Sequence, residues 1–463
     1  MASATQLVKG LGLIDATTLV MGSMIGSGIF IVSADVARQV QSPGLLILTW
    51  IVTAALTIIA ALSYGELAAA MPQAGGQYVY LREAFGPLYG FLYGWTLFLV
   101  IQTGTIAAVA VAFAKYAGVF FPSVSTTNHI LGPVTTQQLV AIVITLLLTA
   151  INTRGIRTGA IVQNVFTFAK TAALLALVIL GFALGRNPQA VASNFTGFWR
   201  NADWGINTVR LIGVAMVGTL FSSDAWNNVT FTAGEVRNPK RNLPLSLALG
   251  VGIVSLLYLA CNFVYLNVLT LQQIQTAPED RVATAVVSVM FGPIAVQLMA
   301  GAIMVSTFGC VNGLILSGAR VYYTMAQDGL FFRKAGDLNK GTHAPVFALI
   351  IQCGWAVLLT LSGQYNDLLD YVIFAVLLFY ILTIAGLFVL RRTRPDMERP
   401  YRAIGYPVLP AIYIAAGVII EVLLLIYKPN YTFPGLAIVL LGIPVFYLWR
   451  RQHRAFVAPA RGR

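Results

Sequence analysis

Apolar runs of about 20 residues recur along the whole chain, separated by short polar or basic segments. About twelve can be counted, at 12–35, 44–70, 88–118, 136–152, 158–185, 208–235, 244–268, 288–326, 343–362, 366–390, 406–427 and 431–449. Runs of this length predict transmembrane helices, so the expected fold is an all-α integral membrane protein. Two runs are broken at matching places, about 195 residues apart. The first break is Gly22-Ser23-Met24-Ile25-Gly26-Ser27-Gly28-Ile29-Phe30, and the second is Gly218-Thr219-Leu220-Phe221-Ser222-Ser223-Asp224-Ala225-Trp226-Asn227. An unpaired backbone group in hydrocarbon costs several kcal/mol, so irregular backbone survives at that depth only where protein or a water-filled cavity surrounds it. Two such breaks predict a transporter that holds a polar solute between them.

The first five spans (8–185) and the next five (206–391) each open with a broken helix, so they read as two copies of one unit. Five is odd, so the second copy enters the membrane from the opposite side. That is an inverted repeat, with discontinuous helices 1 and 6. The last two spans (405–450) lie outside it and are expected to be peripheral.

Composition agrees with this class. Of 463 residues, 58% are hydrophobic and 10% charged, against roughly a quarter charged in soluble domains. The net charge of +13 suggests nucleic acid until its distribution is considered. With twelve spans and the N-terminus inside, about twenty Lys and Arg fall in cytoplasmic segments, from Lys9 to Arg454, Arg461 and Arg463. About six fall outside, among them Arg38, Arg200 and Arg210. The charge is therefore a topology signal: both termini cytoplasmic, the protein in the cell's inner (plasma) membrane, and no nucleic-acid partner. Cys261, Cys310 and Cys353 all fall inside predicted spans, and no exterior loop carries a thiol for a disulfide-linked subunit.

In the first break, Gly26, Ser27 and Gly28 let backbone amides approach a ligand, at the positive N-terminus of a second half-helix. Amides of this kind suit a carboxylate, and the carbonyls of Met24 and Ile25 suit an ammonium. A zwitterionic amino acid meets both. Packing of small residues four apart is the competing explanation for the glycines. In the second break, Phe221 can close over a side chain, and the carbonyls of Phe221, Ser222 and Asp224 can take the amine. The Asp224 carboxylate has three roles open to it: a partner for the amine, a titrating proton site, or a helix cap through the amides of 225–227.

Lys170 lies in the fifth span, roughly 18–22 Å from either interface at 1.5 Å per residue. Its stem reaches only about 6 Å, so it cannot snorkel and must be paired, wet or neutral. A fixed ammonium beside unwound carbonyls replaces a bound sodium ion; a structural polar contact is the alternative. Ser306, Thr307, Gly309, Cys310, Asn312 and Gly313 place small polar groups within two turns of the eighth span. Arg320 stands near the cytoplasmic end, with Glu66 and Glu235 as candidate partners in a gate. Lys115 and Glu421 have no evident partner. No nucleophile triad, metal-ligand cluster, phosphate loop or dinucleotide fingerprint is present, so no catalysis, cofactor or metal is expected.

These residues carry a resemblance. The segments Gly22–Phe30, Ser63–Leu67 to Gly86-Pro87, Val162–Lys170, Phe221–Pro244, Phe308–Gly313 with Ser317–Arg320, and the tail from Gly405-Tyr406-Pro407 to Trp449-Arg450-Arg451 are similar to the amino acid–polyamine–organocation superfamily. Within it, the chain resembles bacterial permeases of the L-type amino acid transporter branch. The resemblance implies the five-plus-five fold, alternating access, and sodium-independent amino acid movement, often as exchange. By position it implies carboxylate-binding amides at Ser27 and Gly28, amine-binding carbonyls at Ile25, Phe221 and Asp224, a gating aromatic at Phe221 and a sodium-replacing lysine at Lys170. Animal members link to a glycoprotein through an exterior cysteine that the loop 118–135 lacks, so no disulfide-linked heavy chain is expected. Asp224 stands where animal members have glycine. The leading expectation is an exchanger of neutral L-amino acids. The alternative is a proton-coupled symporter, for cationic amino acids or polyamines, with Asp224 titrating.

Overall fold

Helices make up nearly all of the computed structural model, which describes residues 6–362 and 365–453. Arg454, Arg461 and Arg463 of the basic count lie outside the described residues. The first half comprises α1 (Leu13–Met24), α2 (Gly28–Val40), α3 (Pro43–Ala70), α4 (Gln77–Phe85), α5 (Pro87–Thr96), α6 (Gln102–Phe120), α7 (Thr136–Thr153), α8 (Ile156–Leu184) and α9 (Pro188–Thr196). The second comprises α10 (Ile206–Ser222), α11 (Asn228–Phe231), α12 (Pro239–Val268), α13 (Leu271–Gln275), α14 (Val282–Phe291), α15 (Ala295–Gln327), α16 (Val346–Ser362) and α17 (Tyr365–Thr393). Helices α18 (Val408–Tyr427) and α19 (Pro429–His453) follow.

Among the described residues, nine helical segments are long and apolar enough to cross a membrane, and the bent pair α1–α2 makes a tenth. Two shorter apolar helices, α10 and α16, occupy the remaining places of the expected twelve. Local chemistry sets the ends. Ser42 caps α3 through the Leu45 amide, with Pro43 in its first turn. Thr135 and Gln138 cap α7 reciprocally. The third span is not the single regular helix its apolar run suggests: a π-turn at Leu97–Ile101 joins α5 to α6, and the Thr103 hydroxyl donates to the Phe98 carbonyl at 2.6 Å. The short helix α4 has its Gln77–Leu81 turn buried.

The helices are inside out relative to a soluble protein. On α8, Ile161, Val165, Phe168, Ile179 and Phe182 are exposed, whereas Gln163, Thr167 and Lys170 are buried. Only a hydrocarbon solvent makes that arrangement favourable. Both ends of the described chain lie on one face: the Gln6 carbonyl is 3.1 Å from His343 Nδ1, and the Trp449 indole donates to the Gly329 carbonyl of the same α15–α16 connection. This is the terminal face; the opposite one is the distal face.

Candidate functional site

α1 stops at Met24 because Ile25 turns to extended backbone (φ −76°, ψ 92°), and α2 resumes at Gly28 with a bend of 42°. The carbonyls released by this break are not bare. The Lys170 side chain, 1% exposed, donates to the carbonyls of Gly22 (2.7 Å), Ile25 (2.7 Å) and Ser306 (3.0 Å). An ammonium carries three hydrogens, so all are used. The Ser306 hydroxyl reaches the carbonyls of Ile25 (3.1 Å) and Gly26 (2.8 Å). The Ile25 oxygen is therefore engaged by the Lys170 ammonium and shares the single Ser306 hydroxyl hydrogen with Gly26, where the sequence reading offered that oxygen to a substrate amine. On the other side of the break, Phe30 N–H closes back onto the Ser27 carbonyl. The amides before it stand at the positive end of α2, beyond the reach of that helix's own carbonyls.

α10 ends at Ser222, and the chain passes through Ser223–Asn227 before α11. Ala225 lies in the left-handed region (φ +62°), a conformation uncommon outside glycine. The two breaks touch. A Cβ added to Gly28 would fall 2.2 Å from Ser222 Oγ, 2.8 Å from its Cβ and 3.0 Å from its Cα. The Tyr258 hydroxyl lies between them, donating to the carbonyls of Met24 (3.1 Å) and Ser222 (3.2 Å). Glycine at 28 is thus required by close approach. Gly28→Ala is expected to force the breaks apart and lower amino acid affinity at least tenfold in equilibrium binding, and Gly28→Ala/Ser222→Gly to recover part of it. Full affinity in the single variant would count against this contact.

The Asp224 carboxylate accepts the Tyr380 hydroxyl at 2.6 Å. Tyr380 also reaches Asn227 Oδ1 (3.2 Å), Asn227 donates to Gln77 (2.8 Å), and Gln77 donates to Thr383 (3.0 Å). A buried polar relay therefore runs from Asp224 across α17 to the start of α4. From the distal face a cavity of about 220 Å³ descends to Ser27 and Phe221, with Lys115 and Glu279 among its lining residues. Lys115 is paired with Glu279 at 2.9 Å, and that bond, despite some desolvation, holds the Glu279 carboxyl below its usual range. Toward the terminal face the packing is closed. Arg320 and Glu235, 1% and 2% exposed, pair at 2.8 Å, and Glu66 gathers Arg391, Arg399 and the Ala403 amide.

A cleft open to one face, ending at two touching helix breaks, is the geometry of a carrier. A family model described as "Amino acid permease" matches residues 11–446. The chain belongs to the amino acid permease family. It is 31% identical over 462 residues to the rat large neutral amino acids transporter small subunit 2, covering 97% of this chain and 83% of the relative. It is 29% identical over 447 residues to the mouse b(0,+)-type amino acid transporter 1, covering 96% and 88%. The mouse Asc-type amino acid transporter 1 is 29% identical over 457 residues, covering 96% and 82%. The protein is a multi-pass membrane transporter of amino acids, not an enzyme.

In this permease Ile25, Ser27, Gly28, Phe221, Ser222, Asp224 and Lys170 fall within the two breaks or against them. Ser222 has neighbours the sequence did not suggest: its carbonyl accepts Tyr258, its hydroxyl donates to the Gly218 carbonyl, and it packs against Gly28. Asp224 bonds to Tyr380, a partner that the sequence did not suggest. Of the two acids offered to Arg320, Glu235 is the partner. Lys115 has Glu279, while both Glu421 carboxyl oxygens are buried with no hydrogen-bond partner among the described residues. Tyr258, Tyr380 and Gln77 were missed. For Tyr258 a signal exists: Tyr258, Asn262 and Tyr265 share one face of an apolar helix at i, i+4 and i+7, and all three bond toward α1, α2 or their own turn.

Proposed function

We propose that this permease is a sodium-independent exchanger of neutral L-amino acids, working by alternating access in the cell's inner membrane, with the terminal face in the cytoplasm. The observation that carries the reading is the Lys170 ammonium, bonded to the Gly22 and Ile25 carbonyls of the unwound first helix. It supplies a fixed positive charge where an ion-coupled carrier places a dissociable one, and it leaves no vacancy for sodium to fill. The substrate carboxylate is received by the Ser27 and Gly28 amides. Its amine meets the Phe221 and Asp224 carbonyls, the Ile25 oxygen being already engaged by the Lys170 ammonium. Phe221 closes over the bound zwitterion, and the buried Arg320–Glu235 pair must part for release to the cytoplasm. The two halves 8–185 and 206–391 serve as inverted copies, in keeping with the broken helix at the head of each. With all three cysteines buried in helices, the permease acts without a disulfide-linked partner.

Counterflow tests this reading. Proteoliposomes preloaded with a neutral amino acid are expected to take up label with or without sodium, and empty vesicles to take up little. A proton-coupled symporter is the second reading, favoured by the Asp224–Tyr380 bond in a membrane-buried setting. Asp224→Asn keeps the shape and removes the titrating group. Under exchange, a pH gradient drives no uptake into empty vesicles, and Asp224→Asn retains counterflow. Gradient-driven uptake that disappears in Asp224→Asn would establish the symporter instead.

A further inference from the structure

Next to the second break is a small cavity of about 20 Å³, room for one water-sized group, whose mostly apolar wall carries several polar side chains. Tyr93, Gln102, Asp224, Asn227, Asn228 and Tyr380 are among the polar side chains that line it, and apolar residues such as Leu97, Phe231 and Val376 form much of the rest. Several of these groups are already engaged within the protein. Gln102 donates to the Leu314 carbonyl at 2.7 Å, Asn227 donates to Gln77, and Tyr380 donates to Asp224 and Asn227. Asn228 differs. It is 2% exposed, and its amide nitrogen has no hydrogen-bond partner among the described residues. Asp224 receives Tyr380 on one oxygen, and a carboxylate offers about four acceptor sites. The lining of this cavity thus includes both an unused donor and an acceptor with capacity to spare.

We propose that this cavity receives the tip of the substrate side chain and selects short amino acids ending in a hydroxyl or carboxamide over apolar ones of the same shape. The inference rests on the proposed amino acid site between the two breaks. A hydroxyl donates to Asp224 and accepts from Asn228, using both groups at once. Valine places a methyl where threonine places the hydroxyl, and leaves both groups dehydrated and unpaired. A site built to hydrogen-bond a substrate rejects the analogue lacking that group far more strongly than an apolar pocket rejects an added hydroxyl. The small volume disfavours aromatic side chains. A cationic head would satisfy Asp224 but set one donor against another at Asn228.

The test uses isosteres. Labelled threonine bound to the purified permease is displaced by unlabelled threonine, valine, asparagine, leucine or lysine, and the same competitors are run in counterflow. Threonine is expected to compete at least about tenfold better than valine, and asparagine similarly better than leucine. In Asp224→Ala and in Asn228→Leu the threonine-to-valine ratio should fall toward one. Valine matching threonine in the wild-type protein overturns the proposal whether or not the variants fold. An undiminished ratio in both folded variants overturns the assignment of these two groups. Binding with the expected ratio but no counterflow would remove the exchange reading and keep the selectivity. Saturable exchange with a ratio near one does the reverse.

Discussion

Lys170→Ala is expected to reduce amino acid uptake in proteoliposomes at least a hundredfold while the protein remains folded and monodisperse. The ammonium makes three bonds to backbone oxygens in a site it shares with the first break. Hydrogen bonds to a charged group contribute about 1.5–3 kcal/mol each, and leaving a buried carbonyl unsatisfied costs about 1–3 kcal/mol. The Ser306 carbonyl belongs to a continuous helix, and Ile25 is left only a share of the Ser306 hydroxyl, so the loss falls on Gly22, on Ile25 and on the fixed charge. About 2.8 kcal/mol lost from the transport-competent arrangement corresponds to a hundredfold. Uptake with size-exclusion and thermal-melting controls checks this. Wild-type turnover in the variant would strip Lys170 of its assigned role.

Glu235→Ala is the second large effect. It leaves the Arg320 guanidinium buried with its acid removed and, among the described residues, the Leu316 carbonyl of its own helix as the hydrogen-bond partner that remains. Breaking a buried pair by removing one member costs about 3–5 kcal/mol. Two readouts follow: a marked fall in melting temperature, and faster alkylation of a Ser317→Cys probe from the terminal face as the closed packing there loosens. Replacing both partners, as Glu235→Gln/Arg320→Met, should recover much of the stability, because the uncompensated charge is gone. A single variant as stable and as unreactive as the wild type would show that this pair does not hold the face shut.

The features legible in the sequence were those that lipid penalises. Small and polar residues at 26–28 and 223–227 stand out of apolar runs, and a lysine at mid-span has few physical excuses, so the breaks and Lys170 could be located without coordinates. The all-helical membrane fold followed from run length alone. What could not be read was which group takes which carbonyl. The Ile25 oxygen suits both a substrate amine and a neighbouring ammonium, and only the packing of α8 against the break reveals that the Lys170 ammonium reaches it. The same limit applies to Asp224, where capping, substrate pairing and titration all fit the residue type. Its bond to Tyr380 joins positions 156 apart in the chain. The π-turn in the third span leaves no mark on hydrophobic periodicity, which measures faces and not the count of residues per turn.

One hydroxyl hydrogen serves two acceptors at Tyr258, at nearly equal reach, and those acceptors belong to the two interrupted helices. A single proton cannot follow both oxygens if they separate. A slip of about an ångström between the interruptions hands it to one and strands the other. The phenol therefore acts as a strap that makes the pair travel as one piece, and Tyr258→Phe should let each half-helix wander independently.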